Sequence, residues 1–324
     1  MVILAADVGG TSTRLGLFDG ERPRPRLRLF KTLATQSFPD FSSLVSAFLE
    51  SESVDRAAFD RAAFGVAGPV VDDAAHLTNV GWRIEAASVA TAFGLKRVRL
   101  LNDLEAMACA VPVLEDVELY TLQQGEPHPK GNISVVAAGT GLGIAMLHNV
   151  AGRLIPFPSE GGHADFAART EREIALLRSL TVRFGRAEVE QVVSGQGLIN
   201  FHRITHADGC RAGIQIASPA APADISRAAL AGECPGCVEA LNLFVEAYGA
   251  VAGNLVLGSV STGGLYLGGG IAPKILPALT TGAFLKAFSS KAPLDGLLSR
   301  VPVKVILNEG AGLLGAAVAA LQDE

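Results

Sequence analysis

Two stretches of this chain carry one pattern, and the pattern limits the folds open to it. Val2-Ile3-Leu4-Ala5-Ala6-Asp7 runs into Val8-Gly9-Gly10-Thr11-Ser12-Thr13-Arg14 and then Leu15-Gly16-Leu17-Phe18. About 130 residues later, Ile133-Ser134-Val135-Val136-Ala137-Ala138 runs into Gly139-Thr140-Gly141-Leu142-Gly143 and then Ile144-Ala145-Met146-Leu147. An apolar run, a small polar turn and a second apolar run read as two strands joined by a tight hairpin. Twice in one chain, this suggests two related halves that grip one ligand and close on it.

At 324 residues the chain has length for about two domains. Charged residues make up 18% and hydrophobic ones 49%, which excludes disorder and favours a well-packed α/β protein. The net charge of -5 argues against a nucleic-acid or polybasic membrane surface, so any bound phosphate must be met by local design. No apolar run reaches the ~20 residues of a membrane span: Asn254, Ser259, Ser261 and Thr262 interrupt the nearest, 249–271. Asp7 breaks the first run too early for a signal peptide, and a cytoplasmic protein is expected.

The first hairpin turn offers backbone N–H groups for an anion, with Thr11, Ser12 and Thr13 as hydroxyl donors. Asp7 would repel a phosphate there unless a cation lay between them, and Mg²⁺ held through water fits. The other reading is an ordinary hairpin whose glycines serve only the bend. No Gly-Lys-Ser/Thr follows, so this is no Walker loop.

The pattern between and after the hairpins is α/β. A one-sided strand is expected over 26–33. Phe41, Leu44, Val45, Phe48 and Leu49 recur at helical spacing. A buried strand over 62–67, a helix over 85–93 stopped by Gly94, and a strand over 98–101 running into a helix over 104–111 follow. The second half reads as mostly helical. A capping box at Thr170-Glu171-Arg172-Glu173 opens a helix with Ile174, Leu177 and Leu180 inward. Short helices are expected over 188–193 and 198–206, a loop over 217–223, and a long helix over 238–257. A strand over 264–267, a helix from Pro273, a strand over 303–307 and a helix over 313–321 complete the reading.

Four clusters could carry chemistry. Asn102-Asp103 ends a strand, where open α/β sheets place ligands; Asp103 could take a proton from a hydroxyl nucleophile, or could merely cap the following helix. Ser159-Glu160-Gly161-Gly162-His163 could face a small polyol, or be surface loop; as a metal site it lacks further spaced ligands. Glu190 could join it or belong to a solvated helix face. Gly268-Gly269-Gly270 permits close approach of an adenosine or its α-phosphate. Cys109 and Cys210 stand apart in sequence. Cys234-Pro235-Gly236-Cys237 has a ligand-like spacing, but no second such pair or histidine cluster is adjacent in sequence, so it is expected to be a helix start without chemistry.

Taken in order, Asp7-Val8-Gly9-Gly10-Thr11, Asn102-Asp103, Gly139-Thr140-Gly141-Leu142-Gly143, Glu160-Gly161-Gly162-His163, Glu190, Ser194-Gly195-Gln196-Gly197 and Gly268-Gly269-Gly270 resemble the bacterial glucokinase family, along essentially the whole chain. The resemblance implies the α/β, two-domain, actin-like (ribonuclease H-like) ATPase fold of hexokinases, with a cleft between the domains. It implies a small domain of 1–111 plus 305–324 and a large one of 112–304. Asp103 would be the base on the 6-hydroxyl of glucose, and Asn102, Glu160, His163 and Glu190 would hold the other hydroxyls. ATP would lie against Ala6, Asp7, Val8, Gly9, Gly10, Thr11, Gly139, Thr140, Gly141, Gly268, Gly269 and Gly270, with Mg²⁺ near Asp7, in a homodimer. Ser12-Thr13, Ser159 and Leu104-Glu105 depart from the usual family residues, and the cysteine-rich zinc motif of the related repressor-and-kinase sugar family is absent. A kinase for another hexose, or a non-catalytic sugar sensor, would share much of this pattern.

Overall fold

A computed structural model of the chain describes residues 1–54, 59–77, 79–207 and 209–322. The chain divides into two units, Met1–Glu115 with Asn308–Glu324, and Asp116–Leu307.

In the first unit the N-terminal apolar run is β1 (Val2–Val8), paired antiparallel with β2 (Ser12–Asp19) so that Asp7 faces Arg14 and Val8 faces Thr13. β3 (Arg26–Ala34) extends the meander. Asp40 then accepts the Ser43 N–H and caps α1 (Phe41–Ser51), which buries Phe41, Leu44, Val45, Phe48 and Leu49, the stripe expected from their spacing. β4 (Phe59–Val66) lies parallel to β1. A small sheet of β5 (Val70–Val71), β6 (Ala74–Leu77) and β7 (Trp82–Glu85) comes next, between the expected strand over 62–67 and the expected helix over 85–93. α2 (Ala86–Phe93) ends at Gly94 with φ 66°, and β8 (Arg97–Asn102) feeds α3 (Asp103–Ala110). The main sheet has the order β3-β2-β1-β4-β8. The C-terminal helix, Ala311–Leu321, is buried at every residue and packs on α3, β1 and β4.

The second unit opens with β9 (Leu119–Gln123), β10 (Ile133–Ala138), β11 (Leu142–Val150) and β12 (Arg153–Ser159). Helices α4 (Glu171–Phe184), α5 (Gly195–Thr205), α6 (Ala221–Leu230) and α7 (Pro235–Ser259) follow. β13 (Gly264–Gly268), α8 (Leu276–Leu279), α9 (Ala283–Ser289), α10 (Asp295–Leu298) and β14 (Val303–Ile306) complete it. Its sheet order is β12-β11-β10-β13-β14-β9. Leaving β9 aside, this is the order of the first unit: an antiparallel meander, then two parallel strands on the far side of the first. The repeated hairpin therefore marks a repeated sheet.

α7 is apolar over a length that could cross a membrane, yet most of it is buried against α5, α6, α9 and β10 as the central helix of this unit. Gly249 and Gly253, one turn apart, let the Phe284 and Phe288 carbonyls of α9 approach its backbone where any Cβ would collide.

Four sequence expectations fail in this unit. The expected loop over 217–223 contains the start of α6, because Pro222 sits in a first turn, where its missing N–H costs nothing. Residues 188–193 are turns, not a helix, and their backbone bonds to neighbouring loops. Pro273 lies in a turn ahead of α8. In α4 the buried side is Glu173, Leu176 and Leu180. Glu173 is buried because its carboxylate accepts the Arg169 N–H and pairs with the Arg169 guanidinium, both at 2.6 Å, while its own N–H bonds Thr170 Oγ1. Half of the expected capping box is thus redirected to Arg169.

Candidate active site

In the first unit the parallel strands β1, β4 and β8 deliver Asp7, Val66 and Asn102 to one edge of the sheet, at their carboxyl ends. Beyond Val8, the Gly9 N–H closes the turn onto Ser12 O at 3.1 Å. A Cβ at Gly9 would come within 2.9 Å of that oxygen, so Gly9 is required by close approach, while one at Gly10 would press on the exposed Asn79 side chain at 3.0 Å. Thr35 braces the turn, donating to Gly9 O at 2.7 Å and meeting Thr13 Oγ1 at 2.9 Å. Thr13 is fully buried in that contact, which removes it from the expected hydroxyl donors; Thr11 and Ser12 remain exposed.

The Asp7 carboxylate lies against the first turn of the C-terminal helix, where a Cβ on Gly312 would be 3.1 Å from Oδ2. Burial pushes its pKa above the usual carboxylate range, and the Arg14 charge offsets this only in part. A buried carboxylate short of positive charge is a fitting neighbour for a divalent cation.

Asn102 is the cap of α3. Its Oδ1 accepts the Leu104 N–H at 2.9 Å, and the Glu105 carboxylate reaches back to the Asn102 N–H at 3.3 Å, a complete capping box. The amide is fixed further by donation from Nδ2 to Gly68 O at 3.1 Å. Asp103 is therefore the first helical residue and not the cap, although its Oδ1 shares the Leu104 N–H at 2.8 Å. Glu105 is what completes the box.

In the second unit β10 ends at Ala138 and runs into Gly139-Thr140-Gly141, with the Gly139 N–H on Gly141 O at 2.8 Å. The adjacent parallel strand β13 ends at Gly268, paired with Ala137. Gly269, with φ 80°, presses on the Ala138 backbone where a Cβ would collide, while Gly270 is exposed and open. The two expected nucleotide segments thus lie side by side at one sheet edge.

Glu190 joins this turn to the 159–163 loop. Its N–H donates to Gly162 O and its Oε2 accepts the Leu142 N–H, both at 2.8 Å. A Cβ at Gly141 would fall 2.5 Å from the same oxygen. The reading of Glu190 as part of a solvated helix face does not hold, since it sits in the 188–193 turns. His163 Nδ1 meets Glu188 Oε2 at 2.7 Å, and the other Glu188 oxygen binds Arg186 at 3.1 Å. The Glu188 hydrogen bond raises the His163 pKa above its ordinary value, with Glu190 and Glu160 adding negative field.

A match to the glucokinase family model runs over residues 4–323. The chain belongs to the glucokinase family. A glucokinase from a Nostoc species is 38% identical, over 98% of each chain, and one from Cronobacter sakazakii is 35% identical over 97% of this chain and 95% of its own. The crystal structure of a glucokinase from an Antarctic psychrotroph, 31% identical, superposes with a TM-score of 0.87 over 98% of each chain. The fold is the two-domain actin-like ATPase fold.

Within this glucokinase framework, sequence reasoning missed Glu188 and Arg186, which orient His163. Their signal was the Glu188-x-Glu190 spacing, of which only the second member was taken up. A cavity of about 900 Å³ in the first unit, lined by Arg14, Phe18, Arg24, Leu27, Phe30 and Leu314 among others, includes none of the site residues.

Proposed function

We propose that the chain transfers the γ-phosphoryl group of ATP to the 6-hydroxyl of glucose, with Asp103 as the general base. The observation that carries this reading is Glu190, bonded at once to Gly162 of the polyol loop and to Leu142 of the hairpin turn. One residue ties a set of hydroxyl-binding groups to a turn suited to phosphate. Phosphoryl transfer to a sugar needs those two kinds of group side by side.

Asp103 accepts the proton of the attacking hydroxyl, and Asn102, Glu160, His163 and Glu190 satisfy the remaining hydroxyls. The 9–11 and 139–141 turns receive the triphosphate, and 268–270 the adenosine. Asp7 would hold Mg²⁺ through water, and a divalent ion there would supply positive charge to offset that of the phosphates. The chain's part is to position both substrates and to hold the proton at Asp103. No covalent enzyme intermediate is needed.

The test is sugar-dependent ADP release with Mg-ATP across glucose, mannose, fructose and N-acetylglucosamine, with Asp103→Ala in parallel. Loss of a general base lowers kcat by ~10²–10⁴-fold, with little change in glucose binding. Since Asn102 holds the cap of α3, the variant should remain folded, which a thermal melt checks. Turnover near wild type in Asp103→Ala would remove the base from the scheme. Turnover on another sugar alone would move the specificity of the 160–163 loop.

A further inference from the structure

The Cys234 and Cys237 pair, expected to be without chemistry, gains neighbours from two other segments. α5 presents His202 and His206 one turn apart, their rings stacked at 3.6 Å. The chain beyond it brings in Cys210, and α7 starts behind Cys234 with Cys237 in its first turn. The donor atoms of His202, His206, Cys210 and Cys237 all lie within 4.8 Å of one another.

The spacing fits one ion. Metal–sulfur bonds of about 2.3 Å and metal–nitrogen bonds of about 2.0–2.1 Å give a zinc tetrahedron edges of roughly 3.8 Å between sulfurs and roughly 3.6 Å between sulfur and nitrogen. Cys210 Sγ is 3.9 Å from Cys237 Sγ, and Cys237 Sγ is 3.6 Å from His206 Nε2. His206 Nδ1 sits 2.8 Å from His202 O, to which it donates, leaving Nε2 with its lone pair toward the sulfurs.

A further observation points to a ligand. His202 Nε2 is buried without a hydrogen-bond partner, the one side-chain nitrogen or oxygen in that state among the described residues, and His202 is only 4% exposed. Gly236 lets the His206 ring approach the start of α7 closely, since a Cβ there would lie 2.7 Å from His206 Nε2.

We propose that His202, His206, Cys210 and Cys237 form a structural zinc site that ties the end of α5 and the loop beyond it to the start of α7. Two thiolates balance the charge of a buried divalent ion, and binding releases their two protons. The nitrogen and sulfur donors select zinc over magnesium or calcium. Cys234 is the competing donor, with Sγ 3.3 Å from His206 Nε2. Its sulfur, however, is not among the four donors that all lie within 4.8 Å of one another. At the other end of α5 the Gly195 N–H binds Gly139 O, about 16 Å away at 1.5 Å per residue. The site acts on the packing of this helix and not on the chemistry.

The test uses full-length protein prepared without a histidine tag. Elemental analysis should find about one zinc per chain. After chelation under reducing conditions, Co²⁺ should restore one equivalent of a tetrahedral spectrum with thiolate-to-cobalt charge transfer. His202→Ala, Cys210→Ser and Cys237→Ser should each weaken Co²⁺ binding at least tenfold, on the order of the loss of one ligand, and Cys234→Ser should bind as wild type. Absence of metal together with no Co²⁺ spectrum in the wild-type chain would overturn the site, without relying on any variant folding. Two thiols recovered only on reduction would replace it with a Cys210–Cys237 disulfide. Retained binding in His202→Ala with loss in Cys234→Ser would overturn the ligand set.

Discussion

His163 owes its raised pKa first to the hydrogen bond it donates to Glu188, and its side chain is half-exposed, so its titration can be followed directly. Arg186 holds the other Glu188 oxygen and donates to His163 O and Asp165, so Glu188 presents a fixed acceptor. Glu188→Gln removes the charge and is expected to lower the His163 midpoint toward its ordinary value, read from the imidazole proton shifts by NMR. A folded-state pKa above the unfolded one, about 6.5 for histidine, gives stability that is fully present below the unfolded value. That stability is lost as pH rises through the folded value. Wild-type melting temperature should therefore fall across this window, and the Gln variant should flatten the fall. An unchanged midpoint in the variant would mean that Glu188 does not set the imidazole's state. Glucose affinity should weaken with it, since a freed imidazole loses its fixed orientation.

At the level of elements, α3 carries Asp103 on its first residue, and the C-terminal helix sets where α3 lies. Gly315 makes that contact, because a Cβ there would run into the Ala106 carbonyl and come within 3.0 Å of the Ala110 nitrogen. Gly315→Ala is expected to destabilise the chain by ~1–3 kcal/mol, the usual cost of overpacking, and to lower kcat by displacing Asp103. Thermal melts and steady-state kinetics check the two parts, and normal values of both would show that the helices can separate freely. Elements of this kind were legible where local pattern decides them. The hairpins at 2–19 and 133–150, the α1 stripe, and Gly94 after α2 follow from alternation, period and left-handed turn chemistry. What depends on distant partners was not legible. The buried Glu173 needs Arg169, the 188–193 turns need Gly162 and Ala164, and α6 hides behind two prolines that read as loop. The site followed the same rule. Asp7, Asn102-Asp103 and the glycine turns announce themselves by position after apolar runs. Glu188 becomes visible only once it meets His163, 25 residues away, and the His202–Cys237 cluster only once α5 and α7 pack.

At the scale of the molecule, the two units differ in how the chain builds them. The second is continuous, residues 116–307, with a core from Val136 through Val305. The first is made of two segments, Met1–Glu115 and Asn308–Glu324, and is completed only by the second. The C-terminal helix supplies Leu313, Leu314, Val318 and Leu321, all buried. At ~1.5–3 kcal/mol for each large apolar side chain buried, these four contribute about 6–12 kcal/mol. That is comparable with the 5–15 kcal/mol stability of a whole domain. Residues 116–307 alone are therefore expected to melt in one cooperative transition, while residues 1–115 alone should show exposed apolar surface and no such transition. Joining 308–324 to residues 1–115 by a flexible linker should restore cooperative unfolding. If 1–115 melts cooperatively by itself, the helix is an accessory to that core. If the linked form fails to fold, packing inside the first unit does not suffice to hold it.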